Sequence, residues 1–227
     1  GGGDLSSVAV EHLPQEFEPL VSAVNHLLGR LRRTLEAERS FTANSAHELR
    51  TPLATALAKL QRLQAQTQDA HVKAQVEQIE ASLRTLSRLS EKLLELAKAE
   101  GGSALAENYN DLVPILQMIA SDYEYKAPRR LKLELPASSV MSLLDPDAFA
   151  ILLRNLIENA LRHGASDQPV KISLSAKGGL RVVNGGEVVP PDKLALLRQR
   201  FVRSDTKNLG SGIGLAIVDA IVSGAGI

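Results

Sequence analysis

From Leu20 onward, apolar residues recur at Val24, Leu27, Leu31 and Leu35 and then, past a polar stretch, at Phe41, Leu49, Leu53, Leu57 and Leu60. Steps of three and four put them on one face of an α-helix. A second run, Val72, Val76, Ile79, Leu83, Leu86, Leu93 and Ala97, keeps the same seam, with Ser90 as its weak point. The short polar stretch TQDAH between them predicts an antiparallel helical hairpin. Seams this long leave apolar surface that one hairpin cannot bury. A second copy completing a twofold four-helix bundle would bury it, so a homodimer is the expectation.

Glu100-Gly101-Gly102-Ser103 ends the second helix on a glycine signal and opens a linker, which places a domain boundary there. Beyond it the pattern shortens. It predicts a helix from about Asp111 to Tyr125, strands over 131–135 and 140–144, and a helix opened by Asp145-Pro146. Strands over 170–175 and 180–184, a loop-rich stretch and a helix from Gly212 follow. The expected fold is therefore a helical hairpin forming a dimeric four-helix bundle, followed by an α/β sandwich with one sheet covered by helices. The divisions fall at 1–36, 37–102 and 103–227.

Composition narrows the function. Aromatics are 3% with no Trp, so packing rests on Leu, Ile, Val and Ala. Lys plus Arg and Asp plus Glu are 26 each, which gives no electrostatic pull toward nucleic acid or an anionic membrane. The absence of Cys removes disulfides and thiolate metal sites and fits a reducing compartment. No apolar run approaches the ~20 residues that span a bilayer. Upstream, LPQEFEPLVSAVNHLLGRLRR flows into the first helix; a continuous helix there can carry register or torque inward, or simply extend the coiled coil.

His12, His26 and His71 have no acidic or hydroxyl partner at a functional spacing, but His47 adjoins Glu48 and stands four residues before Thr51. Pro52 lacks an N–H and cannot bond the Glu48 carbonyl, so the helix bends or loosens there. A bend of this kind can expose one ring nitrogen while an acid holds the other's proton, as a nucleophilic imidazole requires. A plain kink beside a surface histidine has the same local pattern. Further on, Asn155 and Asn159 share a helix face at i and i+4, and amide oxygens are hard neutral ligands suited to Mg²⁺. Gly210, Gly212 and Gly214 open the last helix, where backbone N–H groups and the helix terminus favour phosphate.

FTANSAHELRTPLA closely resembles the phosphoacceptor motif of bacterial sensor histidine kinases, His-Glu-x-x-Thr-Pro-Leu. The resemblance implies that His47 accepts a phosphoryl group, that Glu48 orients and activates it, and that Thr51 positions water when the protein dephosphorylates its partner. The segment ahead is similar to the last helix of the membrane-proximal HAMP module. Asn155-x-x-x-Asn159-Ala-x-x-His163 resembles the helix of that family's ATP domain. By that resemblance Asn159 holds Mg²⁺ with Asn155 in support, Arg162 reaches phosphate, and His163 lies near base or ribose. Related ATPases carry a glutamate where Asn155 stands, so its absence favours transfer to a side chain over hydrolysis.

Gly210, Gly212 and Gly214 resemble the family's second glycine box. LLRQRFVRSDTKNLG is similar to its ATP lid, with Phe201 as an apolar hinge anchor and Arg203 or Lys207 toward the triphosphate. The first glycine box, Asp-x-Gly-x-Gly in the family, reads Asn184, Gly186 and Val188 here. Asn184 can still accept a bond from the adenine amino group, without charge assistance, and Val188 forbids the positive φ a glycine provides. The family also runs on past SGAGI through further strands, and their absence would leave a sheet edge less covered.

Together these features identify the expected function as ATP- and Mg²⁺-dependent autophosphorylation of His47, then transfer to an aspartate of a response regulator, with phosphatase activity toward it. The partners expected are a second copy and the regulator's receiver domain, with no nucleic acid. The setting is the cytoplasmic portion of an inner-membrane protein, anchored by an upstream segment. Given Asn184 and Val188, the alternative is a dimeric scaffold that binds a regulator and turns ATP over poorly. A third reading is an ATP-hydrolysing machine of the same superfamily.

Overall fold

The computed structural model describes residues 18–101, 104–126, 128–202 and 211–227, which form two compact units divided after Gly101. The first is a hairpin of α1 (Glu18–Gln66) and α2 (Ala70–Gly101). α1 continues through Pro52, so the proline removes one rung without ending the helix. Asp69 caps α2: its Oδ1 accepts from the His71 N–H at 2.8 Å and the Val72 N–H at 3.4 Å. Gln61 and Gln64 donate across the hairpin to Glu80 and Glu77. Leu53, Val76, Leu96 and Ala97 are buried, and so is Ser90, the polar position in the seam. Leu49, Leu63, Ile79 and Leu86 remain 45–50% exposed within one protomer.

The second unit contains β1 (Leu105–Asp111), α3 (Leu112–Lys126), β2 (Leu131–Glu134), β3 (Met141–Leu144), α4 (Pro146–His163), β4 (Val170–Leu174), β5 (Leu180–Val183), α5 (Pro191–Leu197) and α6 (Gly214–Ala225). Its strands fall into two sheets among the described residues, not the single sheet expected. β1 pairs antiparallel with β3, while β2, β4 and β5 lie in that order, the first pair parallel and the second antiparallel. β1 lies where a linker was expected. LAENYND lacks apolar alternation, and its pairing with β3 shifts register between Leu105 and Asn110. α5 occupies the stretch read as loop, and α6 begins at Gly214 instead of Gly212.

The core lies where α4 meets its neighbours, with α3 and α6 packed on it and β4 and β5 adjoining. β4 alternates cleanly, Val170, Ile172 and Leu174 inward and Lys171 outward. Phe149, Leu153 and Ile157 of α4 are at most 1% exposed, and each such burial contributes roughly 1.5–3 kcal/mol. Asp145 caps α4 by accepting from the Asp147 and Ala148 N–H groups at 3.0 and 2.9 Å, with Pro146 in the first turn. Ile213, Ala216, Ile217 and Ile221 form the buried stripe of α6. α4 is thus fixed on several sides.

Candidate functional site

Three pieces of chain converge around α4: its own C-terminal half, the turn after β5, and the start of α6. Glycines set their spacing. A Cβ at Gly164 would meet the Asn184 Cβ at 3.0 Å, and one at Gly186 would meet the His163 carbonyl oxygen at 3.3 Å. One at Gly214 would meet the Asn155 Oδ1 at 3.3 Å. Two backbones therefore pass close at the C-terminal end of α4, and the Ala165 N–H ties them by donating to the Gly185 carbonyl at 2.9 Å. The Gln168 side chain lies across Gly185, and a side chain there would have to displace it.

Asn155 is buried and donates through Nδ2 to the Ile151 carbonyl at 2.8 Å. Asn159, one turn on, is half-buried, and Arg162 and His163 are exposed at the helix end. Partial desolvation, then the neighbouring Arg162 guanidinium, hold the His163 imidazole below its usual range. At neutral pH the ring is uncharged, which suits a base or ribose better than phosphate.

Asn184 is exposed just past β5, and its Nδ2 donates to the Gly185 carbonyl at 3.0 Å. That bond turns Oδ1 outward as an acceptor, since a flipped amide would set two oxygens together. Gly186 has φ 137°, a conformation open to glycine alone. Val188 has no positive φ and is 92% exposed, so the glycine expected at that position is not required by this backbone.

At the third piece, the Phe201 N–H donates to the Gly212 carbonyl at 2.9 Å. Phe201 itself sits at φ 64° and Gly212 at φ 68°, and a Cβ on Gly212 would come within 2.8 Å of the Phe201 carbonyl carbon. Among the described residues α6 starts with no side-chain cap, and its first N–H groups are of the kind that can donate to an anion. Arg203, Lys207 and Gly210 lie outside the described residues. Among the described residues, then, α4 is approached at Asn155 by Gly214 and at its C-terminal end by Asn184 and Gly186, with Asn159 on the helix between them and Gly212 two residues ahead of Gly214. Gly164, Ala165 and Gln168 belong to the approach at the C-terminal end. The sequence carried no sign of them beyond a glycine at a helix end.

In the hairpin, His47 is carried by α1, and its side chain lies outside the described residues. Glu48 and Thr51 are exposed one turn apart, and the Thr51 carbonyl accepts from the Thr55 hydroxyl at 3.0 Å. Because position 52 has no N–H, the Glu48 carbonyl lacks its helical donor. His71, near the far end of the hairpin, is exposed beside Gln75.

Residues 37–102 match the family described as "His Kinase A (phospho-acceptor) domain", and residues 144–226 that described as "Histidine kinase-, DNA gyrase B-, and HSP90-like ATPase". The chain is 35% identical over 226 residues to "Sensor protein BasS" of Escherichia coli (strain K12), which covers 96% of this chain and 61% of that protein. It is 33% identical over 227 residues to "Sensor protein kinase PmrB" of Pseudomonas aeruginosa, covering 96% of this chain and 47% of that one. The chain thus spans between about half and three fifths of these relatives. The crystal structure of full-length ShkA in complex with AMPPNP aligns with TM-score 0.62 at 24% identity, over 82% of this chain and 41% of that one, a likeness of fold.

Proposed function

Because the chain belongs to the bacterial sensor histidine kinases, we propose that it phosphorylates His47 from ATP and passes the phosphoryl group to an aspartate of a response regulator. The observation that carries the reading is the convergence on α4, where positive-φ Gly186 and the start of α6 after positive-φ Gly212, with no side-chain cap among the described residues, meet the helix that bears the half-buried Asn159. Such a surface fits a nucleoside triphosphate. The start of α6 and the Gly212 turn would take phosphate oxygens, and Asn159 would take Mg²⁺. The neutral His163 ring and the outward Asn184 oxygen would take base and ribose.

Bound Mg²⁺ supplies charge neutralisation on the phosphates. His47 contributes a ring nitrogen lone pair, which forms the N–P bond as the bond from the γ-phosphorus to the ADP oxygen breaks. Glu48 holds the proton on the other ring nitrogen, fixing the tautomer. In the reverse regulatory activity, removal of phosphate from the regulator, Thr51 positions water. The divisions at 1–36, with its HAMP-like helix, 37–102 and 103–227 belong to this proposal. So does membrane attachment through a segment upstream; among the described residues no helix is long and apolar enough to cross a membrane.

The test uses ATP labelled at the γ-phosphate. The wild-type chain should take up label that is acid-labile and alkali-stable, as a phosphoramidate is. His47→Ala should abolish it while nucleotide binding persists. Label undiminished in that variant would refute the assignment, and steady phosphate release without His47 would favour an ATPase.

A further inference from the structure

Asn155 is an amide among the buried positions of α4, only 3% exposed, in company with Leu152, Leu153 and Ile157. Its donor is committed to its own helix, since Nδ2 bonds the Ile151 carbonyl one turn back at 2.8 Å. Its acceptor faces another element: Oδ1 lies where a side chain on Gly214 would come within 3.3 Å. Gly214 is the first residue of α6, directly after Ile213, which is fully buried. A metal ion that keeps part of its water shell needs ligands that reach solvent. Asn159, half-buried one turn further along α4, has that access; Asn155 does not.

We infer that Asn155 is a positioning residue, which sets the separation between α4 and the start of α6 by seating its amide oxygen against Gly214, and that it ligates neither metal nor phosphate. The inference rests on the reading of this convergence as a nucleotide site. Glycine at 214 and asparagine at 155 form one unit. A larger residue at 214 pushes the helix terminus away from α4, and a shorter one at 155 lets it collapse or tilt. In either case the first N–H groups of α6 miss the phosphates they are aimed at.

The experiment measures binding of the slowly hydrolysed analogue adenylyl imidodiphosphate to the whole chain, once with Mg²⁺ and once with EDTA. Variants are Asn155→Ala, Gly214→Ala, the double variant, and Asn159→Ala as the metal comparator. A positioning role requires Asn155→Ala to weaken binding by a similar factor, roughly tenfold, in both conditions. Asn159→Ala should instead remove most of the gain that Mg²⁺ confers. Gly214→Ala should match Asn155→Ala, and the double variant should bind better than the product of the two losses, because the added methyl enters space that the amide vacates.

Loss of the Mg²⁺ gain in Asn155→Ala, or strictly additive losses in the double variant, would overturn the inference. Should Asn155→Ala fail to fold, Gly214→Ala still decides, since unaltered affinity there excludes the contact. A wild-type chain that binds the analogue in neither condition would sink the nucleotide reading itself. That result is distinct from the others because it appears before any substitution is made.

Discussion

Asn184 stands where the family places an aspartate, and with its Nδ2 bonded to the Gly185 carbonyl its Oδ1 remains a neutral acceptor. A hydrogen bond to an ionised acceptor is about twice as strong as a neutral one. Asn184→Asp should therefore tighten ATP binding several-fold, about 1 kcal/mol, as read by titration calorimetry. Equal or weaker binding would mean that orientation by Gly185 matters more than charge. The residue types of this site were legible in the sequence because amides at i and i+4 and alternating glycines are chemistry at fixed spacing. The role of Gly164 was legible only in part: a Cβ there would meet the Ala160 carbonyl oxygen of its own helix end at 2.5 Å, but also the Asn184 Cβ at 3.0 Å, far along the chain. Val188 shows the opposite error: the family pattern suggested a demand for positive φ that the backbone does not make.

At the scale of elements, Asp111 ends β1 and opens α3. Its Oδ1 accepts from the Val113 N–H at 3.1 Å and the Val140 N–H at 3.0 Å, which ties the helix start to the approach of β3. The bond from Val113 holds the carboxyl below its usual range; burial opposes it, and the bonds from Val140 and the Ser139 side chain add to the lowering. A carboxylate whose folded pKa is depressed contributes stability above its unfolded value, near 3.9, and loses it as pH falls through the folded value. Asp111→Asn should flatten the acid limb below about pH 4, visible as a urea midpoint that changes less with pH than in the wild type. α1, α2, α4 and α6 were readable because each carries an apolar stripe of helical period, with Asp145-Pro146 marking one start. β1 and α5 were not, because the former is exposed along most of its length and the latter is a single short helix after paired prolines. The expectation of one sheet failed for a related reason, as strand segments can be recognised by period but not by which edge they join.

For the whole molecule, the apolar positions left open on the hairpin, Leu49, Leu63, Ile79 and Leu86, are the strongest argument for a second copy. Ile79 is half exposed in one protomer, so Ile79→Glu should leave the hairpin helical while placing two carboxylates in the proposed twofold interface. Light scattering should then report half the mass of the wild type, and an unchanged dimer would show that the seam faces elsewhere. The bond between the Phe201 N–H and the Gly212 carbonyl has a different reach. It holds Phe201 and Gly212 side by side, so the two ends of whatever sequence joins them are fixed against each other. Lengthening a closed excursion costs little, about 0.6 kcal/mol for each doubling. A joining sequence of another length should therefore leave the start of α6 where it is.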